Sequence, residues 1–293
     1  MPDWDVVIIG GGAAGLTAAA TVAGAGRSCL VIDRMGGGGE LMNLGPLQDL
    51  EEDLTGPDLM ARLLDAAITA GAEPGITAVT ALTPDPTGWR IGTDDENHTA
   101  RAVILAIGLA PGTLGLDSET AFDGQGLSHC AACDGPLYRG EPVVIAGAGR
   151  WAQQEARDLA TIASHVTLVT QGEPAPAVEC VAVIQGRIAA LHGSPGLDAI
   201  TIHTEATGEP QRLPTNIVFV QTGRRPAADF APATLARDPD GRLITDAALR
   251  CNLPGLFAVG DCRSGSPRTL AGAMDEGRRA ALAAIAPLGK RSE

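Results

Sequence analysis

Cys130-Ala131-Ala132-Cys133 is the stretch where residue type and spacing point most directly to chemistry. Two thiols at C-x-x-C spacing can close a small reversible disulfide, and the motif favours a lowered thiol pKa. Asp134 follows at once, a candidate proton donor or acceptor, although an acid in Asp134-Gly135-Pro136 also suits turn chemistry. Zinc is the competing use of the pair. It needs about four ligands; there is no second C-x-x-C, and His129 would add only one, so redox chemistry is favoured and no metal is expected. Cys29, Cys180, Cys251 and Cys262 read as buried small hydrophobes. Six cysteines, so scattered, do not make a secreted disulfide framework.

A second constellation lies at the other end of the chain. Gly10-Gly11-Gly12-Ala13-Ala14-Gly15 fits G-x-G-x-x-G between an apolar run and an alanine-rich segment. The first glycine permits the tight turn, the second lets a pyrophosphate approach the backbone, and the third lets helix and strand pack closely. Asp33 follows about twenty residues on, where a carboxylate accepts hydrogen bonds from ribose hydroxyls. Gly260-Asp261 ends another apolar run. Asp261 is either an N-terminal charge for the helix that follows or an acid at the ligand-binding end of a sheet; spacing alone leaves both open.

These residues need elements to hold them. Asp5–Ile9 reads as a strand buried on both faces, Ala13–Ala23 as a helix and Ser28–Asp33 as a second strand, the β–turn–α–β of a mononucleotide-binding unit. Gly36–Gly39 is a loop, Gly56-Pro57 opens an amphipathic helix to about Ala70, and strands follow at Gly75–Thr83, Trp89–Thr93 and Ala102–Ile107. The same grammar restarts at Pro142–Gly147, with a helix over Ala152–Ala163 and a strand at Val166–Val169. Ile217–Val220 and Gly255–Asp261 are further strand-to-glycine runs, and a last helix covers Thr269–Ala286. The chain therefore carries two dinucleotide-fold beginnings, with crossings between domains at Leu109–Leu114 and Gly223–Phe230.

Composition narrows the partners. The formal charge of −14 opposes a nucleic-acid footprint, and Lys290 is the only lysine, so no phosphate-binding lysine motif can exist upstream. Val6–Gly26 carries no charge and is long enough on paper to span a membrane, but the clustered glycines break it as one helix. The acidic start, Met1-Pro2-Asp3-Trp4-Asp5, lacks the positive region of a signal peptide, so a cytoplasmic protein is expected.

The run His129-Cys130-Ala131-Ala132-Cys133-Asp134-Gly135-Pro136-Leu137-Tyr138 resembles the active-site signature of the low-molecular-weight thioredoxin reductases. Gly38-Gly39-Glu40-Leu41, Ala106-Ile107-Gly108, Gly223 with Pro226, and Gly255–Asp261 resemble further motifs of that family, in family order and over nearly the whole chain. The resemblance implies an α/β protein of two dinucleotide-binding, Rossmann-like, three-layer ββα domains, the second inserted into the first: residues 1–112, 113–227 and 228–293. It also implies a homodimer. By position, Cys133 would be the flavin-side sulfur, Cys130 the thiol that attacks a partner disulfide and Asp134 the general acid–base. FAD would be held by Gly10, Gly12, Ala13, Ala14, Gly15, Asp33, Gly39, Glu40, Leu41, Asn43 and Gly108, with Gly260 and Asp261 at the ribityl–phosphate region. Arg268-Thr269-Leu270 would bring a helix N-terminus to the flavin's pyrimidine edge.

The departures matter as much. Family members that use NADPH carry His-Arg-Arg after the second strand of the inserted domain, whereas here the strand runs into Thr170-Gln171-Gly172-Glu173, with no cation for a 2′-phosphate. Trp151 replaces a small residue in Gly147-Ala148-Gly149-Arg150-Trp151-Ala152 and is expected to crowd a pyrophosphate. The stretch from Cys133 to Gly223 is also shorter than the family's. The expected function is therefore an FAD-dependent disulfide/dithiol oxidoreductase that does not rely on NADPH. Its partners would be a thioredoxin-like protein or small-molecule dithiol, and either a ferredoxin or flavoprotein donor or oxygen as acceptor. An ordinary NADPH-dependent enzyme, taking the phosphate on another arginine such as Arg187 or Arg224, is the alternative. A non-catalytic FAD-bearing partner protein is a further one, disfavoured because a scaffold needs no thiol pair.

Overall fold

The computed structural model describes residues 2–43, 47, 54–174, 176–205 and 208–289. The chain folds as two compact units, one made of Met1–Ala110 with Arg225–Glu293 and the other of Pro111–Arg224.

The first unit begins with β1 (Trp4–Ile9), α1 (Ala13–Gly24) and β2 (Cys29–Ile32). Val6, Val7 and Ile8 are fully buried, because β1 lies between parallel neighbours and both of its faces are covered. Next, α2 (Gly56–Thr69) starts on a capping box: Thr55 Oγ1 accepts from the Asp58 N–H, and Asp58 accepts from the Thr55 N–H. Then come β3 (Glu73–Gly75), β4 (Val79–Asp85), β5 (Gly88–Thr93) and β6 (Asn97–Leu105). The expected strand Gly75–Thr83 is thus two. Gly75 pairs with Ile32 of β2, whereas Val79 pairs with Thr93 of β5, so the chain leaves one edge of the sheet and re-enters at the other.

The second unit holds β7 (Ala110–Pro111), α3 (Glu119–Phe122), β8 (Leu127–Ser128), α4 (Ala131–Asp134), β9 (Pro142–Ala146), α5 (Arg150–Ala160) and β10 (His165–Val169). It continues through β11 (Ala182–Ile184), β12 (Gly186–His192), β13 (Ala199–Thr204), β14 (Pro210–Pro214), β15 (Val218–Val220) and β16 (Arg224–Arg225). Its main sheet runs β11-β10-β9-β15-β8, every pair parallel, and β12-β13-β14 form a separate antiparallel sheet. Parallel neighbours ordinarily need a helical crossover. Among the described residues none joins β10 to β11; a loop does, with Val178 buried in the same apolar cluster as Leu159 of α5.

Back in the first unit, β17 (Leu256–Ala258) and α6 (Leu270–Ile285) complete it. Its sheet runs β3-β2-β1-β6-β5-β4. The same edge of β6 is shared: β5 pairs antiparallel with Asn97–Ala100 and β17 pairs parallel with Val103–Leu105. This makes a parallel sheet and a β-meander in one unit, with α1 and α6 packed together. A Cβ on Gly277 of α6 would collide with the Ala14 carbonyl oxygen, so glycine sets how closely the two helices approach.

Candidate active site

In the first unit the glycine turn sits at the carboxyl end of β1. Gly10 has φ of 107°, and a Cβ there would overlap the Ala106 carbonyl at the end of β6. A Cβ on Gly15 would overlap the Gly10 carbonyl, so the third glycine lets α1 pack on the turn. Above Gly12, the residue capping α1, a Cβ would meet nothing within 4 Å. Closed below and open above, the turn fits a pyrophosphate approaching the helix N-terminus.

Asp33, half-buried after β2, is the organiser of this turn. Its Oδ2 accepts the Gly11 N–H at 2.8 Å, and its Oδ1 accepts the N–H groups of Met35 at 2.8 Å and Gly37 at 3.1 Å. The Gly38 N–H donates to the Gly11 carbonyl at 2.8 Å, which lays the second glycine loop over the first. Gly39, Glu40, Leu41 and Asn43 form one 3-10 turn; Leu41 is buried against Ala13, Glu40 is exposed, and the side chain of Asn43 lies outside the described residues. Leu270, at the start of α6, packs on the same Ala13–Leu41 cluster.

Gly260 meets Ala14 across the sheet end, its added Cβ 3.4 Å from that of Ala14. Its N–H donates to Oε2 of the buried Glu276 at 2.8 Å, and Arg263 pairs with the other Glu276 oxygen. Asp261 belongs to a separate 3-10 turn, Gly260–Cys262, so it is not a charge on the first turn of α6. Thr269 caps α6 by accepting the Gly272 N–H at 3.1 Å, and Arg268 is exposed with φ of 53°. Gly108 follows β6 with φ of 57° and has open space above it. Gly10, Gly12, Ala13, Ala14, Gly15, Asp33, Leu41, Gly260 and Leu270 are thus gathered round one turn. Gly108 and Arg268 are described apart from that turn, each with a positive φ.

In the second unit Cys130 and Cys133 form a disulfide. Strand β8, in parallel register with β15, delivers Ser128 and then Cys130. The Cys133 N–H donates to Cys130 Sγ at 3.2 Å. Ser128 Oγ donates to Asp134 Oδ2 at 2.6 Å and accepts the Cys130 N–H at 3.1 Å, so one buried hydroxyl fixes both the acid and the first cysteine. Behind the motif, Gly135 makes room for Leu159 of α5, whose Cδ2 would be 2.7 Å from a Cβ at that position. Tyr138 meets Phe219 edge-on, with ring centroids 6.4 Å apart, which ties the turn to the sheet. Cys130 is half-buried and Cys133 exposed.

The remaining cysteines divide. Cys29 and Cys262 are buried and Cys251 is half-buried, and desolvation pushes all three thiols up to about 12. Cys180 departs from the expectation: it is exposed, with φ of 61°, in the loop that replaces the β10–β11 crossover.

The second glycine turn bears on two further expectations. Gly147 repeats the role of Gly10, its Cβ position overlapping the Gln221 carbonyl, but Gly149 has open space above it. Trp151 does not fill that space. Its indole lies along the flank of α5, where Nε1 donates to Glu155 Oε1 at 3.1 Å. After β10, Thr170 turns inward and accepts the Gly186 N–H at 3.2 Å. A cation is nevertheless present: a Cβ on Gly172 would lie 2.7 Å from Arg187 Cζ, so the exposed Arg187 guanidinium rests on Gly172. Ser128, Glu276 and the Arg187–Gly172 contact are what the sequence reading missed or left undecided. A serine two residues before a cysteine and an arginine on a distant strand carry no spacing signal.

A glycine-rich dinucleotide-binding turn in one unit, and a second strand–glycine–helix unit carrying a Cys-x-x-Cys disulfide in the other, point to one class. The chain belongs to the pyridine nucleotide-disulphide oxidoreductase family, which it matches over residues 4–277, and within it to the low-molecular-weight thioredoxin reductases. It is 30% identical over 296 residues to the thioredoxin reductase of Treponema pallidum (strain Nichols), covering 96% of each chain. Its structure aligns with Lactococcus lactis thioredoxin reductase in the FR conformation at a TM-score of 0.74 and 28% identity, covering 97% of this chain and 98% of that one. It also aligns with a ferredoxin-flavin thioredoxin reductase from Clostridium acetobutylicum at 0.55 and 28% identity, covering 97% and 98%. The protein is a flavin-dependent oxidoreductase of thioredoxin-reductase type. No helix among the described residues is long and apolar enough to cross a membrane.

Proposed function

We propose that this enzyme passes electrons between FAD and the Cys130–Cys133 pair, and between that pair and a thioredoxin-like protein or small-molecule disulfide, without relying on NADPH. Its other electron partner is a ferredoxin or flavoprotein, or oxygen where the enzyme oxidises a dithiol, and it works as a homodimer.

Bound FAD supplies the two-electron exchange with the sulfur pair. Gly10, Gly12, Ala13, Ala14 and Gly15 present backbone to its pyrophosphate, and Asp33 faces its ribose end. Gly39, Glu40, Leu41, Asn43, Gly108, Gly260, Asp261 and Arg268–Leu270 complete its walls. On reduction, Cys130 is the attacking sulfur, because the Cys133 N–H on its Sγ stabilises negative charge there. Its thiolate bonds to one sulfur of the partner disulfide, and the other leaves as a thiolate that takes a proton from Asp134. Cys133 then attacks Cys130, which restores the internal disulfide and releases the second partner sulfur.

The observation that carries independence from NADPH is the end of β10. There Thr170 accepts the Gly186 N–H, a loop joins β10 to β11 among the described residues, and the Arg187 guanidinium rests on Gly172, whereas the proposal expects a 2′-phosphate to need a clamp of several charge-assisted bonds. Alignment with the Clostridium ferredoxin-flavin enzyme supports a donor of that class. Arg187 on Gly172 and the open space above Gly149 favour the second reading, an ordinary NADPH-dependent thioredoxin reductase. Anaerobic mixing of oxidised enzyme with NADPH, NADH or dithiothreitol, followed at the flavin absorbance, separates them. The proposal expects reduction by the dithiol and slow or no reduction by millimolar NADPH; rapid reduction by micromolar NADPH establishes the ordinary class.

A further inference from the structure

Beside the buried cluster that holds Ala131, the residue after Cys130, lies a carboxylate that the chemistry above does not use. Glu155, on the second turn of α5, is only 8% exposed. Its Oε1 accepts the Trp151 indole N–H at 3.1 Å, and its Oε2 is buried with no hydrogen-bond partner. The neighbours on its helix, Ala152 and Ala156, pack in one buried cluster with Ala131, the residue between the two cysteines. The Ala131 backbone N–H favours the ionised carboxylate, and Asp158, further along α5, opposes it as a like charge. Burial and Asp158 push the Glu155 carboxyl up from its ordinary range, while the Trp151 and Ala131 N–H groups pull the other way.

Two groups therefore act on the amides of the four-residue turn α4. The Ala131 N–H acts on the Glu155 carboxyl, and the Cys133 N–H donates to Cys130 Sγ at 3.2 Å. We propose that Glu155 is a positioning residue for the redox pair: its carboxylate sets the pH at which Cys130 becomes a nucleophilic thiolate. While Glu155 is ionised, a second negative charge at this turn is disfavoured and Cys130 keeps its proton to higher pH; when Glu155 is protonated, the thiolate forms more readily. Trp151, which replaces a small residue, acts through Glu155, since its indole N–H favours the ionised carboxylate. The proposal rests on Cys130–Cys133 being the working redox pair.

The test uses dithiothreitol-reduced holoenzyme. Alkylation of Cys130 by iodoacetamide is followed by mass spectrometry from pH 5 to 9, and the potential of the pair is measured in dithiothreitol redox buffers. Glu155→Gln keeps the shape and the acceptor for Trp151 but removes the charge. Removing a nearby like charge should give about tenfold more thiolate below neutral pH. Because nucleophilicity falls with thiol basicity, this reads as roughly three- to tenfold faster alkylation in the pH range where Glu155 is ionised and Cys130 still holds its proton, shrinking as the pH falls and Glu155 takes up its own proton. The potential rises by about 30 mV, the equivalent of tenfold for two electrons. Trp151→Phe falls between wild type and Glu155→Gln at pH 7. Wild-type alkylation profiles and potentials in both folded variants overturn the proposal. A wild-type pair that dithiothreitol does not reduce overturns the functional reading itself.

Discussion

Replacing Ser128 by alanine tests the active-site turn at its smallest joint. The hydroxyl donates to Asp134 at 2.6 Å and accepts from the Cys130 N–H at 3.1 Å, and the side chain is buried. A hydrogen bond to a charged group contributes about 1.5–3 kcal/mol, which corresponds to roughly ten- to a hundredfold in rate if it holds the acid where a leaving sulfur needs it. Asp134→Asn removes the acid outright and should cost about 10²–10⁴-fold. The part of the Ser128 effect carried by Asp134 vanishes in the double variant and the Cys130 N–H contact leaves a remainder, so the two effects should combine to clearly less than their product. The assay is the rate at which the enzyme reduces a protein disulfide, with pre-reduced enzyme in single turnover. Effects of Ser128→Ala and Asp134→Asn that simply multiply, or a Ser128→Ala enzyme with wild-type rates, would refute the reasoning.

Three other outcomes follow from the geometry. Asp33→Ala leaves the N–H groups of Gly11, Met35 and Gly37 without their acceptor, so FAD retention on gel filtration should fall at least a hundredfold in affinity, whereas Asp33→Asn keeps part of it. Arg187→Ala should lower whatever NADPH affinity exists by about tenfold in titration and leave dithiol reduction unchanged. Glu155, with its folded carboxyl raised, favours the folded state below its unfolded range and loses that contribution as pH rises through the folded value. The Tm of Glu155→Gln should therefore gain on wild type between pH 4 and 8; a constant difference across that range would contradict the burial argument.

Elements with a strong local signal were legible in the sequence. β1, α1 and β2 were, because a strand buried on both faces is a continuous apolar run and its turn must be glycine where the Ala106 carbonyl approaches. The Cys130–Cys133 disulfide and an acid, Asp33, at the glycine turn were legible for the same reason, since each needs a residue type at a fixed spacing. β12–β14 were not: short strands in a small antiparallel sheet carry mixed exposure and little periodicity. Long-range contacts were also hidden. Trp151 was expected to block a pyrophosphate, yet its indole follows the helix to Glu155, a choice of rotamer that no local pattern announces. Arg187 reaches Gly172 only because β12 returns beside the end of β10.

The measurement that bears most directly on the central claim is stopped-flow absorbance of the flavin during anaerobic reduction by dithiothreitol, in wild type and in the two single cysteine variants. If electrons move between dithiol and FAD through the pair with Cys133 on the flavin side, wild type is bleached within the mixing experiment and Cys133→Ser is not. On that reading the thiolate remaining in Cys130→Ser is the flavin-side one, and this variant develops a long-wavelength band. Bleaching of Cys133→Ser at the wild-type rate would contradict the claim that the pair is the route, and the long-wavelength band in Cys133→Ser alone would show that the roles of the two sulfurs are reversed.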